Sequence, residues 1–163
     1  MTLIPSSPLK SSPIQFRRVQ DFTIVSLIQL NCNDTLSINT QWTVNNCSSS
    51  CTNQISLDSS ITTTGSELYI PGRTLQYGSY QVNLTVTMAQ IPSLTVISTT
   101  YIDITPSGIT ANLIPYGTSM ITRGNLQDLQ FNPGSYSTDP DEDSFDPSVS
   151  YFIKTLLNSI NLR

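Results

Sequence analysis

Residues 80–88 read Y-Q-V-N-L-T-V-T-M and alternate without a break. Successive side chains of a strand point to opposite sides. Tyr80, Val82, Leu84, Val86 and Met88 therefore share one face, and Gln81, Asn83, Thr85 and Thr87 share the other. A helix would scatter the apolar residues round its axis, so the stretch commits this part of the chain to a sheet with one buried face. Similar patterns recur roughly every ten residues between 14 and 105, the spacing of a β-sandwich. They are F-T-I-V-S-L-I-Q-L (22–30), L-S-I-N-T-Q-W-T-V (36–44), I-S-L-D-S-S-I (55–61), E-L-Y-I-P (67–71) and T-V-I-S-T-T-Y-I-D-I (95–104).

Composition agrees with strands and turns. Charged residues make up 11% of the chain, and Ser, Thr and Asn fill the polar positions instead. β-Branched Thr packs well on a pleated surface. Lys and Arg number seven and the net charge is −4, which leaves no basic stripe for nucleic acid. Histidine is absent, which removes Ser–His and Cys–His nucleophile pairs and the commonest zinc ligand. No apolar run is long enough to span a bilayer. Arg17 and Arg18 precede the apolar 22–30 stretch in the manner of a signal sequence, but Ser26 and Gln29 interrupt it and it reads as a strand. The composition looks extracellular although no export signal is read. A piece of a longer protein, or an incomplete gene model, reconciles the two.

Three regions follow. Residues 1–13 carry three prolines and no period, and are expected to form a disordered leader. Residues 14–105 are expected to form an all-β sandwich. Residues 106–163 are expected to form an incomplete second β module, with strands at 106–114, 117–124 and 126–131. Its end is different: Asp146 and Pro147 make a good helix start, and apolar residues at 152, 153, 156, 157 and 160 predict a short amphipathic C-terminal helix.

The stretch L-Q-Y-G-S-Y (75–80) has the spacing of a tyrosine corner. In Greek-key sandwiches a tyrosine at the start of a late strand bonds through its hydroxyl to backbone a few residues upstream. Leu75 would plug the core, Gly78 would permit a turn that a side chain would strain, and Tyr80 would latch it. Trp42 would fill the interior from the second strand.

Together L-Y-I-P-G-R-T-L-Q-Y-G-S-Y-Q-V-N-L-T-V (68–86), L-N-C-N, Q-W-T-V, I-T-A-N-L-I, the I-T-R-G stretch and the S-x-D-P-D turn form an ordered series. It resembles the receptor-for-egg-jelly (REJ) region of polycystin-like proteins, from about residue 15 to 148. The resemblance implies an immunoglobulin-, fibronectin-III- or PKD-like Greek-key β-sandwich. It also implies a non-catalytic adhesion or sensing ectodomain of a large cell-surface membrane protein linked to cation channels. Its partners would be neighbouring ectodomain modules or extracellular ligands. After about 148 the sequence departs from that pattern.

Cys32, Cys47 and Cys51 permit at most one internal bridge. Cys47 and Cys51 share a loop and meet most easily; Cys32 pairing with either, or three free thiols, are the alternatives. N-D-T at Asn33, N-C-S at Asn46 and N-L-T at Asn83 are glycosylation acceptors in an exported chain. D-P-D-E-D-S-F-D (139–146) makes Asp139, Asp141 and Asp143 the candidate Ca²⁺ ligands, against the plainer reading of a solvated connection. It fails as an EF-hand loop, with Ser144 at the sixth position and Ser150 at the twelfth. No other cofactor is expected. Two further readings stand beside the structural one: a carbohydrate- or Ca²⁺-binding β-module, and an accessory domain of a secreted hydrolase. The missing histidine and the adjacency of the acids weigh against catalysis.

Overall fold

The computed structural model describes residues 1–29, 37–48, 50–108, 110 and 138–141. The chain divides into two compact units, Met1–Pro106 and Ser107–Arg163. In the first, eight strands run in chain order among the described residues: β1 Thr2–Ile4, β2 Ile14–Arg17, β3 Phe22–Leu27, β4 Ile38–Asn46, β5 Asn53–Gln54, β6 Glu67–Ile70, β7 Gly78–Met88 and β8 Thr95–Thr105. They form a three-stranded sheet, β1-β3-β6, and a five-stranded sheet, β2-β8-β7-β4-β5.

The alternation in sequence decides which face each strand buries. Tyr80, Val82, Leu84 and Val86 from β7 join Trp42 and Val44 from β4 and Ile102 and Ile104 from β8. Leu3, Phe22, Ile24, Leu68 and Ile70 of the smaller sheet belong to the same buried cluster. Two sheets thus share one interior, the arrangement of a β-sandwich. Burying each of these large side chains contributes about 1.5–3 kcal/mol before entropy is counted. β7 is the centre of the larger sheet, paired with β4 from Ile38↔Met88 to Asn46↔Tyr80 and with β8 from Gly78↔Ile104 to Thr87↔Thr95.

Three expectations change. Residues 1–13 are not a disordered leader. β1 pairs with β3, and Leu3 is 1% exposed. The chain then crosses to the other sheet. The Ser7 N–H donates to Thr100 Oγ1 (2.9 Å), and the Tyr101 N–H donates to the Ser7 carbonyl (2.9 Å). β2 then runs parallel to β8. Thr100, a fully buried polar residue, is satisfied by this crossing. The prolines that suggest a linker sit between short pairings whose partners lie beyond the segment, in β3 for Leu3 and 93 residues away at Thr100 for Ser7.

Residues 55–61 are not a strand. The Ile55 N–H donates to the Val44 carbonyl (2.9 Å), after which Asp58 turns the chain by accepting from Ser60 N–H (2.8 Å) and Ile61 N–H (3.0 Å). The returning segment covers the outer edge of β4: Trp42 N–H donates to the Thr63 carbonyl (2.8 Å) and Trp42 Nε1 to the Gly65 carbonyl (3.2 Å). Ile55, Leu57 and Ile61 still pack on the core, as a loop rather than a ladder. Third, the strand expected over 22–30 ends at Leu27, and that over 36–44 begins at Ile38 and continues to Asn46. No helix occurs among the described residues. The expected C-terminal helix and the second-module strands fall outside them, apart from a bridge between Thr110 and Thr138.

Candidate functional site

The connection from β6 to β7 is built from three constrained positions. At Gly72 an added Cβ would collide with the Val19 carbonyl, so that residue is glycine for space. Arg73 beside it takes the left-handed φ of 64°. Gly78 has φ 133° with nothing crowding it, so there glycine is required by torsion instead. Between them Leu75 is buried. Tyr80 is buried too, and its hydroxyl donates to the Gln76 carbonyl (2.8 Å). That bond crosses four residues and closes the corner. Burial pushes the Tyr80 phenol above its ordinary pKa, which keeps the donor protonated.

The same end of the sheet carries the bridge. Cys47 and Cys51 are joined as a disulfide, with Cα atoms 4.2 Å apart, across the turn between β4 and β5. The Cys47 N–H donates to the Ser79 carbonyl (2.8 Å), and Lys10 Nζ donates to the Cys47 carbonyl (3.2 Å). At the glycine turn, the Asp21 carboxylate accepts from Gly72 N–H (2.7 Å) and Tyr69 hydroxyl (3.0 Å). Those two donors, the backbone one foremost, hold Asp21 below the ordinary carboxylate range, and the Tyr69 phenol is raised in return. The P-G pair at 71–72 signals a turn in the sequence, but nothing local marks Asp21 as its clamp.

The outward face of the larger sheet is a set of cross-strand polar pairs. Thr87 and Thr95 hydroxyls meet at 3.1 Å, Thr99 donates to Asn83 Oδ1 at 2.8 Å, and Gln81 Nε2 donates to the Tyr101 hydroxyl at 3.2 Å. Ser79 donates to Asp103 (2.9 Å). Asn83 is half-buried on this face, away from the core. Asn46 ends β4, and its Oδ1 accepts from Ser48 N–H (2.8 Å), so the N-C-S triplet folds into a turn around a bridged cysteine. Asn33 and Cys32 lie outside the described residues.

In the second unit, Asp141 is 4% exposed. Its carboxylate accepts from both the N–H (2.7 Å) and the hydroxyl (2.6 Å) of Ser107, while Asp139 Oδ1 accepts from the Asp141 N–H (2.9 Å). These bonds bind the start of the unit to its acidic turn. Asp143 lies outside the described residues. Among the described residues no three metal-ligating side chains gather. Two grooves border the covering loop. One, of about 640 Å³, is lined by 60–62, 64–67, Tyr69 and Pro71, and the other, of about 320 Å³, includes Gln41 and Asp58. Each presents a single carboxylate, Glu67 or Asp58, rather than the pair that acid–base hydrolysis uses.

The geometry defines an all-β module whose specific polar contacts fasten its own corners. The REJ domain family model matches residues 26–152, most of the chain, and this protein belongs to that family. No curated protein matches it, and neither does any solved structure.

Proposed function

We propose that the chain is a non-catalytic structural and adhesive module from the extracellular part of a polycystin-like cell-surface membrane protein. The observation that carries this reading is the family match over 26–152. The Cys47–Cys51 bridge supports it, because disulfides persist in oxidising compartments. The module works by holding shape: a core shared by two sheets resists load, and the polar outer face and edge strands are offered to neighbouring modules or extracellular ligands. Its topology is read as Greek-key of the immunoglobulin, fibronectin-III or PKD type. The first segment, which gives β1 to one sheet and β2 to the other, and the tyrosine latch support that reading. Asn83 on the outer face is the proposed principal glycan acceptor, with Asn46 and Asn33 in turns as further ones.

Expression behind a secretory leader in animal cells tests this. The chain is expected in the medium with Cys47 and Cys51 oxidised. An N-glycosidase-sensitive mass increment is expected, and Asn83→Gln should remove the largest share of it. Secreted chain with reduced thiols and no sugar would overturn the extracellular assignment.

A further inference from the structure

Among the described residues, nothing pairs with the outer edge of β8 over 95–99. β7 covers one side of β8 throughout, but β2 covers the other only from Ile102 to Thr105. Tyr101 N–H points away from β7, to the Ser7 carbonyl, whereas the Met88 N–H reaches across the hairpin to the Leu94 carbonyl. Strand parity then directs the N–H and C=O groups of Thr95, Ile97 and Thr99 outward. Among the described residues no strand pairs with them on that side. Val96 and Ile97 beside them are 58% and 62% exposed. Natural edge strands are usually blunted by charge, proline or a bulge. Here no charged residue occurs from 74 to 102, and 95–99 contains no proline.

We propose that this edge pairs with the same edge of a second copy, antiparallel and two-fold symmetric about Ile97. The segment is T-V-I-S-T, so it reads as its own complement: Thr95 faces the second copy's Thr99, Ile97 faces Ile97, and Val96 faces Ser98. The three outward residues of each copy form hydrogen-bonded pairs, each exchanging two N–H···O bonds. Thr–Thr and β-branched pairs are favourable across strands, and no like charges meet at the axis. A second copy is the occupant because an isologous contact needs a self-complementary patch, and this neutral, symmetric segment is one. The two larger sheets would become one continuous sheet. The pairing deepens the adhesive reading and rests on it only for the place where two copies meet.

Analytical ultracentrifugation of the purified full chain tests it separately from export. A monomer–dimer equilibrium is expected, with a Kd between about 1 µM and about 1 mM, as suits a small interface. Ile97→Lys and Ile97→Glu, at an exposed position, should each keep the parent's melting temperature and weaken association about tenfold or more. Their equimolar mixture should restore it, because opposite charges then face each other. Hydrogen exchange should show concentration-dependent protection at the amides of Thr95, Ile97 and Thr99. Those of Val96 and Ser98, already directed to β7, should not change. A chain that stays monomeric to about 1 mM, a dimer indifferent to Ile97→Lys, or a mixture that stays monomeric would each overturn the proposal.

Discussion

β7 begins at Gly78 inside a corner and finishes at Met88 beside a hairpin, and its two ends are finished by different means. At the first end the side chains act on backbone: Tyr80 on Gln76, Asp21 on Gly72, and Lys10 on Cys47, with a disulfide one strand away. At the second end the polar side-chain contacts shrink to the Thr95 hydroxyl, with Thr87 and the Pro92 carbonyl, and the apolar contacts are incomplete. Met1, Ile28, Ile38, Val86, Met88 and Leu94 border a cavity of about 360 Å³, and Ile91, Leu94, Val96 and Ile97 stand exposed. Directional locks demand particular residues at fixed spacings. Apolar contact demands only enough area, so the second end is free to leave a surface for something else.

The sharpest break in that contrast is at the corner. Tyr80→Ala should cost about 3–5 kcal/mol, since a buried ring and its hydrogen bond are both lost. Tyr80→Phe should cost about 1–2 kcal/mol, because the ring stays and only the hydroxyl's bonds, to the Gln76 carbonyl and the Asn46 side chain, are lost. Urea denaturation of the two variants separates packing from latch. Leu75→Ala should follow, at about 2–5 kcal/mol, as a cavity in a buried turn. The bridge ranks next. It closes a loop of only a few residues, so Cys47→Ala with Cys51→Ala should cost about 2 kcal/mol in the chain-entropy account. Reductant should lower the parent's unfolding free energy by the same amount and leave the double variant unmoved.

Sequence carried the corner well and the chain's first seventeen residues poorly, and the reason is range. Leu75, Gly78 and Tyr80 act on one another within six positions, so their spacing is visible in one strand and its turn. The alternation of 80–88 is likewise local, and it placed the buried and outward faces of β7 correctly. Leu3 and Ser7 are fixed by β3 and by Thr100, far along the chain, and nothing in M-T-L-I-P-S-S-P states that. The 55–61 stretch misled for a related reason. Ile55, Leu57 and Ile61 are apolar at even spacings because they cover one core surface, while Asp58 withdraws the backbone from the ladder. Of the candidate sites, the pairing of Cys47 with Cys51 followed from proximity. The clamp at Asp21 did not, since its partners Tyr69 and Gly72 lie about fifty residues on.

Asp21 gives that clamp a pH signature. Its folded pKa lies below the unfolded one, because Gly72 N–H and the Tyr69 hydroxyl stabilise the charged form. A carboxylate of this type contributes stability that is present above the unfolded value, about 4, and is lost as pH falls through the folded value. Asp21→Asn should therefore be less stable than the parent at pH 7, and the difference should shrink as both are taken below pH about 4. Thermal melts of the two proteins across that range read it. A constant difference would mean that Asp21 acts by shape rather than charge.

The smallest effect belongs to the open end and uses the same truncation as at Leu75. Leu94 is 52% exposed, against 4% for Leu75. Its structural work is done by its backbone, which accepts from Met88 N–H (3.1 Å) and donates to the Ile91 carbonyl (2.9 Å). Alanine keeps both bonds and removes only an exposed side chain, so Leu94→Ala should change stability by less than about 0.5 kcal/mol. Equilibrium denaturation at a concentration where the chain is monomeric measures it. A cost near that of Leu75→Ala would show that the apolar rim is part of the folding core, and the contrast between the two ends would then be one of exposure without energetic consequence.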